Sequence, residues 1–171
     1  WRKQTASETL RGTAMRVTDF MDPKGVLLHA NIHTMQDTVG ILVELQEGLG
    51  GITNGTACYN AACKRETMGG TTAIGQGIAL PHTANAGVCA PGVSAVLLRR
   101  GVDWGAPDEM PVDLVFMVAI PPHNESLHLQ ILARLVNLLQ KKSLTEALRS
   151  AANPERFLEL LKKAEADCFA E

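Results

Sequence analysis

Short apolar runs along the chain alternate with stretches in which apolar residues recur every three to four positions. Runs at residues 25–30, 92–100 and 112–120 predict strands, because aliphatic and β-branched side chains dominate them. The last of these is almost continuously apolar, which is typical of a central strand covered on both faces. Residues 71–82 predict a strand, a glycine turn and a second strand.

Segments with helical periodicity lie between these strands. Predicted helices begin at Thr34, at about Thr56, at Asn124, at a Ser143-x-x-Glu146 capping box and at Asn153-Pro154. The helix after Asn124 carries its apolar stripe on His128, Leu132, Leu135, Val136 and Leu139. Strands that alternate with helices predict a single α/β domain, in which a mixed sheet of about five strands has helices on both faces.

A length of 171 residues fits one domain. Residues 1–15 are polar and weakly periodic, so we interpret them as a tail or linker and residues 16–167 as the domain. The chain opens on Trp1 rather than on methionine, which suggests a fragment of a longer protein. We find no signal peptide and no run of about 18 apolar residues that would span a bilayer.

Composition narrows the class of protein further. The net charge is −2 and there is no basic tract, which argues against nucleic acid as a partner. Aromatic residues make up 4% of the chain, so the core must be aliphatic. Four cysteines follow neither a redox nor a zinc spacing, which predicts reduced thiols and a cytoplasmic location.

Two of the five histidines have positions that suggest chemistry. His82 ends a predicted strand, and His128 lies in the first turns of the helix after the central strand. Crevices of α/β sheets bind ligands at the carboxyl ends of strands, and helix N-termini favour anions, so we expect the two imidazoles to meet there. The residues alone leave a nucleophile pair, a metal pair and an acid–base pair open. His29, His33 and His123 are interpreted as surface or packed side chains.

The motif RETMGGTTAIGQGIALPH, residues 65–82, resembles the signature of the mannitol/fructose-type enzyme IIA domain of the bacterial phosphoenolpyruvate-dependent sugar phosphotransferase system. The chain departs from the family's usual pattern at Met68, Gly70 and Thr83. A second block, MPVDLVFMVAIPPHNESLHLQILARL, resembles the family's Pro-Val-x-Leu-Val-Phe strand and the His-Leu-x-x-Leu helix start. The resemblance covers roughly residues 16–165.

This resemblance implies a role for each matching residue. His82 is expected to accept a phosphoryl group, His128 to act as the second active-site histidine, and Arg65 to stabilise phosphate charge. The implied partners are the histidine-phosphocarrier protein as donor and an enzyme IIB as acceptor, with the membrane involved only through enzyme IIC. No metal or other cofactor is implied. Backbone N–H groups of the Gly-rich turn are expected to assist, and Met68 and Leu80 are candidates for the docking surface.

Two other classes of function stay open. A regulatory relative, of the nitrogen type or fused to a transcription regulator, would keep His82 but signal through its phosphorylation state. A metal-dependent hydrolase would use His82 and His128 as ligands, although the sequence offers no convincing carboxylate or cysteine to complete the set.

Overall fold

A mixed sheet forms the centre of the molecule, which the computed structural model describes over residues 15–169. Its six strands are β1 (Val26–Ala30), β2 (Ala73–Gly75), β3 (Ile78–Ala79), β4 (His82–Ala84), β5 (Gly92–Val102) and β6 (Val112–Ile120). The order across the sheet is β1-β5-β6-β3-β2, and β4 also pairs with β6. β5 and β6 are antiparallel, whereas β1 is parallel to β5, and both β3 and β4 are parallel to β6. The predicted α/β fold with a mixed sheet is confirmed.

β3 and β4 continue one another along the edge of β6. Ile78 pairs with Leu114 and His82 pairs with Val118, so the register is the same in both strands. Pro81 interrupts the ladder because it has no N–H to donate, although its carbonyl accepts from Val118 N at 3.1 Å. The interruption brings the strand count to six and places His82 at the first position of β4.

Helices cover both faces of the sheet, as predicted. They are α1 (Met35–Gly48), α2 (Gly55–Met68), α3 (Glu125–Leu139), α4 (Lys142–Arg149) and α5 (Pro154–Cys168). Side chains from α1 and α2 share one core with Val115, Met117 and Ala119 of β6. Side chains from α3, α4 and α5 share the other core with the alternate residues of β6, including Phe116 and Val118. β6 is therefore buried on both faces, which its apolar sequence indicated.

Several predicted helix starts are confirmed in position and one is wrong. Thr34 accepts from Asp37 N at 3.0 Å and Asn153 accepts from Arg156 N at 2.8 Å, so both cap their helices. Asn124 occupies the N-cap position of α3, but its amide donates instead to the carbonyls of the preceding two prolines.

The predicted capping box at Ser143 and Glu146 does not form. α4 begins at Lys142, so Ser143 lies inside the first turn, and Lys141 at the N-cap position makes no side-chain cap. Burial of Leu144, Thr145 and Leu148 fixes where this helix starts, and that tertiary constraint outweighs the capping pattern.

Among the described residues, the folded domain includes Met15, one residue before its predicted start. Residues 1–14 of the predicted tail lie outside the described residues, but Met15 is buried in the core. The buried Glu165 carboxylate of α5 accepts from Val17 N at 2.8 Å and from Thr18 N at 3.0 Å. These bonds attach the segment that begins at Met15 to α5, so Met15 belongs to the folded domain.

Candidate functional site

His82 is held in one orientation by its own backbone neighbourhood. Its Nδ1 lies 2.8 Å from the carbonyl oxygen of Leu80, two residues earlier. A carbonyl can only accept a hydrogen bond, so Nδ1 carries the hydrogen and Nε2 of the neutral ring keeps its lone pair. The ring is half-buried at the start of β4. His82 therefore presents a nucleophilic nitrogen from a fixed position.

His128 reaches the same place from the first turn of α3. The two imidazole rings meet edge to face, with centroids 5.2 Å apart and planes at 72°. The Nε2 atom of His128 is buried and has no hydrogen-bond partner among residues 15–169. Burial first, and the neighbouring His82 second, lower the pKa of His128 from its ordinary value of 6.5. His128 is thus neutral at pH 7 and has an unsatisfied nitrogen at the histidine pair.

Arg65 lies on the exposed side of α2, close to the end of that helix. Its Nη1 donates to Gly69 O at 2.5 Å, and within the described residues no hydrogen bond joins it to either imidazole. Leu80 N donates to Thr72 O at 3.1 Å, which aligns the segment after Gly69 with the strand that leads to His82. The role of Arg65 in the chemistry stays a prediction.

Two other polar residues of the motif have structural roles that the sequence did not indicate. The buried Glu66 carboxylate accepts from Thr72 N at 2.9 Å and also from the Thr72 hydroxyl. The hydroxyl of Thr71 donates to Trp104 O at 3.0 Å. These bonds fix the chain between α2 and β2. No feature of the sequence indicated these bonds, because the burial of Glu66 depends on the assembled fold.

The glycine turn lies at the other end of the strand from His82. Gly75, Gln76 and Gly77 all have positive φ, at 92°, 57° and 78°. Gln76 N donates to Asp108 at 2.8 Å, and the Gln76 carbonyl accepts from Arg149 at 2.8 Å. Four residues of extended chain lie between Gly77 and His82, so the Cα atoms of these two residues are roughly 16 Å apart. The expectation that N–H groups of this turn assist phosphate binding is therefore wrong, because the turn is too far away.

Exposed apolar side chains lie on the segments that carry the candidate residues. Met68, at the end of α2, is 77% exposed, and Leu129, next to His128, is 69% exposed. Leu80 is only 3% exposed, so its expected place in a docking surface is wrong. Sequence reasoning missed Leu129, although its position one residue from His128 turns it away from the apolar stripe of α3.

Three histidines lie apart from this pair. His29 is exposed on β1, His33 is exposed before α1, and His123 is exposed in the Pro-Pro loop. Within residues 15–169, no three His, Cys, Asp or Glu side chains are grouped so that they could hold a metal ion. The four cysteines, Cys58, Cys63, Cys89 and Cys168, are free thiols.

No helix in the described part of the chain is both long enough and apolar enough to cross a lipid bilayer. The class of protein that emerges is an α/β domain with a histidine pair at the carboxyl end of its central strands.

Comparison with known proteins shows which family this domain belongs to. The family model for the phosphoenolpyruvate-dependent sugar phosphotransferase system, EIIA 2, matches residues 19–164. The chain belongs to this family.

Its relatives carry two kinds of name. The fructose-specific EIIABC component of the phosphotransferase system of Bacillus subtilis is 26% identical over 149 residues, which cover 87% of this chain and 23% of the relative. A nitrogen regulatory protein of Bradyrhizobium diazoefficiens is 28% identical over 152 residues, covering 86% of this chain and 95% of the relative. The chain thus spans about a quarter of the first protein's length and nearly all of the second's.

The fold agrees with these matches. The crystal structure of the nitrogen regulatory protein IIA-Ntr from Neisseria meningitidis superposes with a TM-score of 0.79 at 25% identity, covering 85% of this chain and 98% of that one. The suspected enzyme IIA resemblance is confirmed.

Proposed function

We propose that this domain carries a phosphoryl group on Nε2 of His82, accepting it from one protein and passing it to another. The observation that carries the proposal is the bond from Nδ1 of His82 to Leu80 O, which leaves Nε2 free beside the unsatisfied nitrogen of His128. A neutral imidazole is a good nucleophile, and the phosphoramidate that it forms transfers readily.

The transfer step is a displacement at phosphorus. The lone pair of His82 Nε2 forms the new P–N bond while the bond between phosphorus and the donor's histidine nitrogen breaks, and that nitrogen keeps the electron pair. Such transfers depend mainly on in-line positioning and on stabilising charge on the equatorial oxygens. In the tautomer that carries its hydrogen on the unsatisfied Nε2, His128 would donate to one of those oxygens or to His82 Nε2. No metal is needed for this role.

Arg65 supplies the positive charge in this proposal. Its guanidinium is exposed and donates to Gly69 O through Nη1, and we expect its other N–H groups to bind the phosphate. A planar fork of donors suits phosphate oxygens.

The donor and the acceptor would be proteins that dock around the histidine pair. In this proposal the donor is the histidine-phosphocarrier protein and the acceptor is an enzyme IIB, with its cysteine receiving the phosphoryl group. The EIIABC name of the fructose relative supports this acceptor, because that name joins the A and B components. Met68 and Leu129 are exposed apolar side chains fit to contact such partners.

A second candidate is a regulatory domain that signals through the phosphorylation state of the same histidine. The match to a nitrogen regulatory protein over nearly its whole length favours this alternative. Genes for IIB and IIC components beside the parent gene would favour transport, whereas a nitrogen sigma-factor operon or a fused DNA-binding domain would favour regulation.

The test is intact mass after incubation with phosphoenolpyruvate, enzyme I and the histidine phosphocarrier. We expect one acid-labile phosphoryl group on the wild type and on His123→Ala, whose side chain is exposed in a loop. His82→Ala should carry none, and His128→Ala should be phosphorylated more slowly. A folded wild-type protein that takes up no phosphoryl group would refute the proposal.

A further inference from the structure

A chain of hydrogen bonds links the buried carboxylate of Glu66 to the imidazole of His82. Glu66 accepts from Thr72 N at 2.9 Å and also from the Thr72 hydroxyl. Thr72 O accepts from Leu80 N at 3.1 Å, and Leu80 O accepts in turn from Nδ1 of His82 at 2.8 Å. Two residues, Thr72 and Leu80, therefore connect a carboxylate on α2 to the ring that begins β4.

Leu80 depends on this chain for its position. β3 ends before Leu80 and β4 begins at His82, so Leu80 and Pro81 belong to neither strand. Toward β6, this pair is held by the bond from Val118 N to Pro81 O at 3.1 Å, and Pro81 has no N–H of its own to donate. Toward β2, it is held by the bond from Leu80 N to Thr72 O. A shift of Thr72 would therefore displace the Leu80 carbonyl that accepts from His82.

Glu66 directs all of its acceptor capacity at one residue. Its side chain is 8% exposed, and no Lys, Arg or His of residues 15–169 forms a salt bridge with it. Burying a carboxylate without a cation is strongly unfavourable unless its oxygens accept hydrogen bonds. Here both oxygens accept from Thr72. This costly arrangement thus fixes the residue that holds Leu80.

The position of the Leu80 carbonyl matters because it selects the tautomer of His82. A neutral imidazole carries one ring hydrogen, which can reside on either nitrogen. The form with its hydrogen on Nδ1 keeps the lone pair of Nε2 available for the proposed attack. A carbonyl oxygen accepts but cannot donate, so Leu80 O favours this form. Its position therefore sets the fraction of His82 that is nucleophilic at Nε2.

We propose that Glu66 is a positioning residue for His82, which fixes Thr72 and, through Leu80, holds His82 in the tautomer with its hydrogen on Nδ1. The N–H and the carbonyl of Thr72 belong to different peptide groups, and the same is true of Leu80, so the chain transmits position and not charge. The consequence for phosphoryl transfer rests on the proposed function, whereas the tautomer of the unmodified protein does not.

The test reads the tautomer of His82 by long-range ¹H–¹⁵N correlation in the unmodified protein, at about pH 8.5, where an ordinary imidazole is neutral. The wild type should show the hydrogen on Nδ1. Glu66→Ala should show a mixture of both tautomers. The initial rate at which the phosphorylated histidine phosphocarrier modifies His82 should fall about fivefold in the same variant, as suits the loss of one ordinary hydrogen bond.

Two further variants separate geometry from charge. Glu66→Gln keeps the length of the side chain and one acceptor for Thr72 N, and the Thr72 hydroxyl can turn to accept from the new amide. We expect it to retain the wild-type tautomer and a rate within about twofold of wild type. Glu66→Asp keeps the charge but is one methylene shorter, so it should behave like Glu66→Ala.

Leu161→Ala is the control for a general loss of stability. Leu161 is 1% exposed in α5, which packs beside β1, and β5 and β6 separate β1 from β4. Loss of this buried side chain should destabilise the fold about as much as Glu66→Ala does. The tautomer of His82 should nevertheless stay as in the wild type.

Three results would overturn the proposal. The first is a wild-type tautomer in Glu66→Asp, a variant that keeps the charge and still bears on the proposal if Glu66→Ala does not fold. The second is a mixed tautomer in Glu66→Gln, which would assign the effect to charge. The third is a mixed tautomer in Leu161→Ala, which would make the effect one of general stability. A wild type that takes up no phosphoryl group would refute the proposed function alone, because the tautomers are compared without phosphorylation.

Discussion

The imidazole rings of His82 and His128 meet edge to face at a centroid distance of 5.2 Å, yet the two residues are chemically unequal. His82 is anchored through Nδ1 to Leu80 O and keeps Nε2 free of hydrogen bonds to residues 15–169, and His128 has a buried nitrogen that also lacks a partner among those residues. His82 thus presents a nucleophilic nitrogen, and we propose that His128 acts as the hydrogen-bond donor. The predictions below follow from this asymmetry and from the contacts that hold the strand of His82.

The lowered pKa of His128 predicts a pH-dependent stability. The unfolded chain protonates this imidazole at about pH 6.5, whereas the folded chain resists protonation until a lower pH. The unfolded state then binds more protons, so the free energy of unfolding falls as pH drops from 6.5 toward the folded pKa and is unaffected above that window. His128→Gln should flatten this part of the profile in urea titrations at several pH values. His33→Gln, at an exposed site, should not; an unchanged slope in His128→Gln would count against the assignment.

Arg65 is expected to act on the rate of phosphoryl transfer more than on stability. Arg65→Ala should slow phosphorylation of His82 by about 100-fold, because a charge-stabilising donor would be lost. Loss of the exposed hydrogen bond to Gly69 O should lower the free energy of unfolding by less than about 1 kcal/mol. Rapid-quench kinetics measures the rate, with Lys64→Ala as the neighbouring control. Equal rates for Arg65→Ala and wild type would show that Arg65 serves only to stabilise the end of α2 through its bond to Gly69 O.

Leu129 is expected to contribute to docking. Since it is 69% exposed, Leu129→Ser should leave stability unchanged while raising the KM for the phosphorylated donor several-fold. Met110→Ser is a matched control, because Met110 is 51% exposed in the loop between β5 and β6. A KM that responds equally to both changes, or to neither, would place the docking surface elsewhere.

Glu66 holds the chain between α2 and β2, and its loss should be costly. Glu66→Ala leaves the N–H and the hydroxyl of Thr72 without their acceptor, which we expect to cost about 2 to 4 kcal/mol of unfolding free energy. Glu66→Gln keeps one acceptor and should cost about 1 kcal/mol. Urea denaturation measures both, with Glu44→Ala on the exposed face of α1 as control. Similar values for all three variants would contradict this role.

Alanine substitutions at three glycines distinguish the cost of backbone strain from the cost of steric conflict. A Cβ at Gly77 would lie 2.9 Å from Arg149 Nη2 and 3.0 Å from Asp113 Oδ1 at a φ of 78°, whereas Gly50 has a φ of 84° with nothing near it. Gly48 has neither constraint. We expect substitution by alanine to cost more than about 2 kcal/mol at Gly77, about 1 kcal/mol at Gly50, and nothing at Gly48. Thermal unfolding measures the series, and a different order would disprove the explanation.

Much of the fold was predictable because its signals are local. The continuous apolar run of β6 and the caps at Thr34 and Asn153 depend on neighbours in sequence, and all three are confirmed. The start of α4 depends on burial against distant elements, and there the local capping pattern failed.

At the candidate site too, some features were predictable from the sequence and others depend on the assembled fold. Topology was enough to bring His82 and His128 together, since both follow the carboxyl ends of strands that pair directly. Sequence did not show that Leu80 points inward or that Leu129 points outward. Both depend on the direction of a side chain in the assembled fold.

The most direct test of the central claim is long-range ¹H–¹⁵N correlation spectroscopy of the phosphorylated protein labelled at histidine nitrogen. It identifies both the modified residue and the modified atom. The account predicts phosphorus on Nε2 of His82, with the hydrogen retained on Nδ1 against Leu80 O. A phosphoryl group on Nδ1 of His82, or on His128, would contradict it.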